Sequence, residues 1–184
     1  SCSISFQKRE KGLKHQIKMP KIQGPEKLKS DLELRKDLQS KIPKDYLPMW
    51  LREREIETRQ VEPVDLLKAE KLPPFRSTWM KPTGKLPSDE RIHQALLLYV
   101  SDMGLLGAAV NPHEVNFMSK KFQSASLDHV MWFHGKVNFN NWVLHHMHSP
   151  ISQNARGFSR GSIYTKAGKL IASTAQEGLM RIWD

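Results

Sequence analysis

The stretch that decides the fold is "SDERIHQALLLYVSDMGLLGAAV", residues 88–110, the one long segment with clear helical signals. Ser88 is a suitable N-cap, and Asp89 and Glu90 place negative charge in the first turn, where the helix macrodipole favours it. Apolar residues follow helical spacing and also fill the remaining faces: Ile92, Ala95, Leu96, Leu97, Leu98, Tyr99 and Val100. A helix that is apolar nearly all round is typical of a buried position. We therefore predict one buried central helix.

Strand-like segments flank this helix on both sides. "REIETRQVE" and "PFRSTWMKP" precede it, and four longer runs follow it, at residues 122–134, 139–148, 158–164 and 169–183. The last two runs are joined by "TKAG", a tight turn that would place Gly168 in a left-handed conformation. One buried helix against a largely antiparallel sheet is an α+β fold. Within residues 19–48, a short helix is expected at residues 30–41, capped by Ser30 or Asp31.

The final strand carries an unexpected polar residue, Gln176, in "KLIASTAQEGLMRIW". At a period of two, Gln176 lies on the more apolar face, whereas Glu177 lies on the mixed face with Ser173 and Arg181. A carboxamide on an apolar face costs about 1–3 kcal/mol unless it finds partners. Gln176 therefore either satisfies the fold or faces a ligand.

Asp102 is the second unexpected residue. It lies near the end of the predicted helix, where the dipole disfavours negative charge, and seven residues after Ala95, on an apolar face. A structural role, in which Asp102 caps a loop or binds an arginine, stays open beside a functional one.

Other patterns point to chemistry only weakly. Ser126, Asp128 and several histidines resemble parts of a Ser-His-Asp hydrolase, but no G-x-S-x-G turn is present. "HHMH" lacks the cysteine or carboxylate that would complete a familiar zinc spacing, and "ARGFSRGS" lacks the lysine and the helix of a phosphate-binding loop. We predict no metal and no cofactor. The histidines in question are His145, His146 and His148.

Charge and composition limit the partners. The net charge is +10, and residues 1–54 hold 14 Lys or Arg against 7 Asp or Glu, so the basic excess is concentrated in an N-terminal arm. Such an arm can steer anionic ligands, but we predict no nucleic-acid partner. The longest apolar run, "ALLLYV", has six residues, so no membrane partner is expected either. The single cysteine, Cys2, excludes an internal disulfide framework and suits a reducing compartment.

Several of these motifs together resemble a known family. "LYVSDMGLL", "SLDHVMWFH", "NNWVLHHMHSPISQNARGFSRGSIYTKAGKLIAST" and "QEGLMR", in this order, resemble the C-terminal half of the acyl-CoA thioesterase II family, the double-hotdog thioesterases of bacteria and peroxisomes. The resemblance implies a hotdog fold, in which a curved antiparallel sheet wraps one long helix. It also implies three parts: residues 1–20 as the closing strand of a mostly missing first hotdog unit, residues 21–53 as a basic linker, and residues 54–184 as the second unit.

The resemblance also implies a site. In that family an aspartate, a threonine and a glutamine hold a water, and the matching positions here are Asp102, Ser126 and Gln176; Ser126 departs from the usual threonine but keeps the hydroxyl. The implied reaction is hydrolysis of a fatty acyl-CoA thioester to a free fatty acid and CoA. Arg156 or Arg160 would suit the CoA phosphates by charge.

Two other functions remain open at this point. One is a hotdog acyl-CoA hydratase, although no clear Asp-x-x-x-x-His motif supports it. The other is a non-catalytic half that acts as an interaction subunit. The family further implies a homo-oligomer with the missing first unit as a partner, in the same or a companion chain, and a peroxisomal or cytoplasmic location. The last residues, "RIWD", are not a peroxisomal tripeptide of the Ser-Lys-Leu type.

Overall fold

A computed structural model describes residues 1–65, 67–115, 117 and 119–183. Its centre is one antiparallel seven-stranded sheet in the order β1-β2-β5-β6-β7-β3, with β4 also paired to β7. The strands are β1 (Ile56–Gln60), β2 (Phe75–Pro82), β3 (Phe122–Ser126), β4 (Val130–Phe133), β5 (Val143–Gln153), β6 (Arg156–Thr165) and β7 (Leu170–Ile182). The α-helices are α1 (Asp31–Asp37), α2 (Leu47–Trp50), α3 (Glu90–Ser101) and α4 (Leu105–Val110).

The predicted central helix is divided in two. α3 ends at Ser101 with Asp102 as its C-cap, and α4 begins after Gly104, which has φ 95°. This left-handed conformation suits glycine, because a Cβ would strain the backbone there. The N-cap is Asp89, whose side chain accepts a hydrogen bond from the backbone N–H of Arg91 (3.0 Å), so the assignment of Ser88 is wrong by one residue.

The helical segment packs against one face of the curved sheet through a common core. Leu97 and Val100 of α3 belong to one core cluster with buried residues of β1, β2, β5, β6, β7 and the loop before β5, which are Ile56, Met80, Val137, Phe139, Val143, Ile163, Ile171 and Ala172. This arrangement agrees with the predicted α+β class. α4 is the more deeply buried helix, with Leu105, Ala108 and Ala109 fully inaccessible.

α3 buries only one of its faces, so the prediction of burial all round is wrong. His93, Leu97, Val100 and Ser101 face the sheet. On the other side, exposed fractions of 42% to 64% are found for four residues that we call the α3 stripe: Ile92, Leu98, Tyr99 and Met103. The sheet covers one side of α3, and no other described part of the chain covers the stripe.

The strand predictions are confirmed in outline and wrong in detail. β1 and β2 lie where expected, and Gly168 in the turn before β7 has φ 86°. The run at residues 122–134 is broken into β3 and β4, and both pair with β7. Residues 139–142 belong to no strand, and β5 instead extends to Gln153.

The N-terminal arm has little regular structure but docks on the outer face of the sheet. No helix or strand is assigned to residues 1–24, and all of these residues are described. Met19, Ile22 and Leu28 pack against buried Trp79, and the Trp79 indole donates to the Gln23 carbonyl (2.8 Å). α1 begins with the predicted cap, Ser30, in a capping box with Glu33.

By length and composition alone, Glu90–Val110 is long and apolar enough to cross a membrane. A buried core helix passes the same criterion, and in this fold the segment lies against the sheet.

Candidate active site

The three residues predicted to form a site lie together where α3 ends beside β7. One carboxylate oxygen of Asp102, Oδ1, accepts hydrogen bonds from the Gln176 amide nitrogen and from the Ser126 hydroxyl, the latter at 3.2 Å. The Asp102 side chain is 49% exposed. No arginine contacts it among the described residues, so it is not held in an ion pair with one. Its second oxygen, Oδ2, accepts no hydrogen bond within that part of the chain.

The strand register explains why Ser126 and Gln176 meet. Ser126, the last residue of β3, lies opposite Gly178 of β7. Gly178 is two residues from Gln176, and successive alternate residues of a strand share a face. The hydroxyl and the amide therefore project to the same side of the sheet, toward the end of α3.

Gln176 is 1% exposed, and alternate residues Ala172, Thr174 and Gly178 on its face are also buried. Its oxygen, Oε1, is buried without a hydrogen-bond partner among the described atoms. Leaving such a group unpaired costs about 1–3 kcal/mol, so the residue is poorly explained by stability alone. Both roles considered for Gln176 therefore stay open: its amide nitrogen pairs with Asp102, whereas Oε1 has no described partner.

The neighbouring Glu177 belongs to the opposite face, as predicted. Its carboxylate accepts from Arg156 (3.0 Å), and its backbone N–H donates to the Asp128 carboxylate (2.8 Å). Asp128 therefore anchors the loop between β3 and β4 and does not form a Ser-His-Asp arrangement with Ser126. Arg160 lies over the Phe158 ring at 5.4 Å.

His129 is a fourth member of the site, and sequence reasoning missed it. Its Nδ1 lies 3.5 Å from the Gln176 amide nitrogen and 3.9 Å from Asp102 Oδ1, and its Nε2 lies 2.8 Å from the Ser101 hydroxyl. Burial lowers the pKa of His129 below the usual 6.5, although the carboxylates of Asp102 and Asp128 oppose the shift. The only signal in the sequence was the position of His129 beside Asp128 in "SLDHV". In an unbroken strand, the side chains of His129 and Ser126 would point to opposite faces.

The histidines of "HHMH" contact neighbouring strands. His145 is fully buried, with Nε2 3.1 Å from the Thr174 hydroxyl, and burial lowers its pKa to about 3. His146 Nδ1 lies 3.0 Å from the Ser77 hydroxyl. Within the ranges that the structure describes, no group of three or more His, Cys, Asp or Glu side chains is arranged to hold a metal ion.

A family model described as acyl-CoA thioesterase matches residues 50–179, most of the sheet and the whole site. The chain belongs to the acyl-CoA thioesterase family. Acyl-CoA thioesterase 2 of Haemophilus influenzae is 36% identical over 97% of this chain and 63% of its own length. Human acyl-coenzyme A thioesterase 8 is 31% identical over 98% of this chain and 59% of its own length. A yeast protein named peroxisomal acyl-coenzyme A thioester hydrolase 1 is 32% identical over 50% of this chain.

Solved structures of this family share the fold. The acyl-CoA thioesterase II TesB2 of Mycobacterium marinum has a TM-score of 0.69 and 29% identity over 96% of this chain and 60% of its own. A hot dog fold protein of Alicyclobacillus acidocaldarius, at 15% identity, has a TM-score of 0.65 and supports the fold alone. The predicted hotdog fold is thus confirmed. The chain spans about 60% of the length of these relatives.

Proposed function

We propose that this chain hydrolyses fatty acyl-CoA thioesters to free fatty acid and CoA, with Asp102, Ser126 and Gln176 as the catalytic residues. The observation that carries this proposal is the convergence of an amide and a hydroxyl on Oδ1 of Asp102, whose side chain is 49% exposed. The names of the relatives support the reaction class.

The chemistry follows from these contacts. A water beside Asp102 would be polarised by the carboxylate and oriented by the Gln176 amide and the Ser126 hydroxyl. The water oxygen attacks the thioester carbon, the water loses a proton to the site, and the C–S bond breaks with the electron pair on sulfur. No acyl-enzyme is required. The hydroxyl of Ser101, the buried serine nearest the site, donates to the Leu98 carbonyl (2.8 Å) inside the helix and is not presented as a nucleophile.

Apolar side chains around the carboxylate support a fatty acyl substrate. Met103 follows Asp102 and is 42% exposed, and Leu127 follows Ser126 and is 53% exposed. Exposed apolar side chains beside a polar catalytic group are typical of a site for an amphipathic ligand. For the CoA phosphates, Arg160 is the better of the two proposed cations, because Arg156 already pairs with Glu177.

We propose that a first hotdog unit, in the same or a companion chain, covers the α3 stripe. The relatives are longer than this chain, and the stripe is an apolar surface larger than single scattered side chains would make. Residues 1–20 are proposed as that unit's closing strand, residues 21–53 as the linker, and residues 54–184 as the second unit, within a homo-oligomer. A peroxisomal or cytoplasmic location is proposed by analogy with the yeast relative.

The reaction is tested by release of free CoA thiol from a medium-chain acyl-CoA. The sample should be the protein as it occurs, with whatever companion unit accompanies it. Parallel incubation with a 2-enoyl-CoA separates the classes: a hydratase consumes the conjugated double bond without releasing thiol, whereas a thioesterase releases thiol. Thiol release is the result expected. Loss of the double bond without thiol release would replace the thioesterase proposal with the hydratase. Absence of both changes would favour an interaction subunit.

A further inference from the structure

His129 is held at the site by contacts from two elements, α3 and β7. It lies in the short loop between Ser126, where β3 ends, and Val130, where β4 begins, and its side chain is 16% exposed. Nε2 lies 2.8 Å from the hydroxyl of Ser101 on α3, and Nδ1 faces Gln176 of β7. This placement fixes both the ring plane and the direction in which each ring nitrogen points.

The hydrogen-bond partners also favour one tautomer. When the Ser101 hydroxyl donates to the Leu98 carbonyl (2.8 Å), its oxygen accepts from His129 and the hydrogen is on Nε2. On the other side, the Gln176 amide nitrogen carries only hydrogens, so its 3.5 Å contact favours a lone pair on Nδ1. Both contacts favour a neutral imidazole with Nε2–H and a lone pair at Nδ1, which the Gln176 amide approaches only at 3.5 Å.

We propose that His129 is a further catalytic base of this site and that its Nδ1 receives the proton of the attacking water. The inference rests on the proposed thioesterase function. The 3.9 Å between Nδ1 and Asp102 Oδ1 is too long for a direct hydrogen bond and short enough for one water to contact both groups. Asp102 then orients the water and stabilises the imidazolium that forms.

The proton balance closes within the site. The O–H bond of the water breaks as its oxygen forms the bond to the thioester carbon, and the proton passes to Nδ1. When the C–S bond breaks, the thiolate takes the electron pair, and the imidazolium returns the proton to the sulfur. The fatty acid leaves as a carboxylate after losing its proton to solvent, and His129 is neutral again.

Charges from each neighbouring element act on His129. Asp102 at the end of α3 and Asp128 in the same loop favour the protonated form of His129, whereas burial disfavours it. Positive charge on His129 would also be repelled by positive charge on His145 of β5. The net direction of the pKa is downward from 6.5. His129 is therefore a neutral base at pH 7, and activity that depends on its lone pair is lost as the pH falls through its pKa.

The test compares pH profiles of kcat/KM for thiol release by the wild-type protein and by His129→Asn. The asparagine can still hydrogen-bond to a water but cannot accept its proton. We expect kcat to fall by about 10²-fold at pH 7.5 with KM little changed, since general base catalysis contributes about 10²–10⁴-fold. The acid limb of the wild type, with a midpoint below 6.5, should shift to lower pH in the variant.

His134→Asn is the matched control. His134 directly follows the last residue of β4, and its Nε2 also lies within hydrogen-bond distance of a serine hydroxyl, that of Ser173, at 2.8 Å. This variant should keep the wild-type profile. A rate reduced equally at every pH in His129→Asn, with the midpoint unchanged, would show that His129 only positions its neighbours and would overturn the inference. An inactive wild type would instead remove the proposed function, and this inference with it.

A second measurement does not depend on the variant's folding. Long-range ¹H–¹⁵N spectra of histidine-labelled wild-type protein at pH 7 report each tautomer. We expect neutral His129 with the hydrogen on Nε2. A hydrogen on Nδ1, or an imidazolium at that pH, would leave no lone pair facing the water and would overturn the proposal.

Discussion

At the scale of single residues, we propose that Gln176 serves the reaction more than the stability of the fold. Its amide nitrogen binds Asp102, while Oε1 is buried without a described partner. The period of two in β7 was enough to predict the buried face of Gln176. It could not predict the partner, because Asp102 is distant in sequence and reaches Gln176 only through the packing of α3 on the sheet.

Gln176→Met should separate the contribution of Gln176 to turnover from its contribution to stability. The substitution keeps the shape of the side chain, removes the donor to Asp102 and removes the unpaired Oε1. We expect turnover to fall by about 10²-fold, as when one positioned donor is lost, while the free energy of unfolding stays the same or rises. Gln123→Met, the same change at an exposed position on β3, is the control. Loss of stability with normal turnover would show that Gln176 is structural.

Ser126 should be replaceable only by another hydroxyl. Ser126→Thr keeps the donor to Asp102 Oδ1, so we expect thiol release within about threefold of wild type, whereas Ser126→Ala should lose about tenfold or more through the missing hydrogen bond. Ser124→Ala, two residues earlier on the same face of β3, should leave turnover unchanged. Equal activity of the alanine and threonine variants would exclude the hydroxyl from the mechanism.

At the scale of elements, the break between α3 and α4 determines where Asp102 lies. Sequence patterns predicted the helical segment and most strands, because apolar periodicity and capping residues are local signals. They did not predict the break at Gly104 or the interruption between β3 and β4. "YVSDMGLLG" reads as a continuous helix, whereas in the structure Leu105 of α4 packs with Met147 of β5 in a separate small core.

Gly104→Ala tests this break. At φ 95° the added Cβ would meet Met147 only at an ordinary 3.6 Å, so the penalty is in the backbone. We expect the free energy of unfolding to fall by about 1–2 kcal/mol, with a smaller loss for Gly104→Asn, because asparagine tolerates the left-handed region better than alanine. Urea unfolding with thiol release in parallel is the measurement.

The control for this pair is Gly84→Ala, where the added Cβ meets no atom within 4 Å and φ is not positive. Gly104→Ala with unchanged stability would mean that the segment can run as one continuous helix. The position of Asp102 as the C-cap of α3 would then need another explanation.

At the scale of the whole molecule, the chain presents apolar surface that the residues described in the structure do not cover. Besides the α3 stripe, Leu127, Val130 and Trp132 are 42% to 53% exposed. The sequence predicted a helix buried on every side. That prediction is wrong for this chain, because the described residues leave one face of α3 uncovered. A fold with the first hotdog unit in place would bury that face as well.

We therefore expect the chain by itself to self-associate in solution, measured by size-exclusion chromatography with light scattering. Tyr99→Lys, in the middle of the stripe and 64% exposed, should shift the population toward monomer. Tyr46→Lys, at a residue 59% exposed in the arm, should not. A monodisperse, well-folded wild-type monomer would contradict the proposed interface.

The most direct test of the account is the rate of thiol release by Asp102→Asn compared with wild type, in a sample shown by mass to contain both hotdog units. The substitution keeps the size and hydrogen-bonding capacity of the side chain and removes its charge. We predict at least a 10²-fold loss of kcat, with folding and acyl-CoA binding retained. Equal rates for the two proteins would remove Asp102 from the chemistry and contradict the central claim.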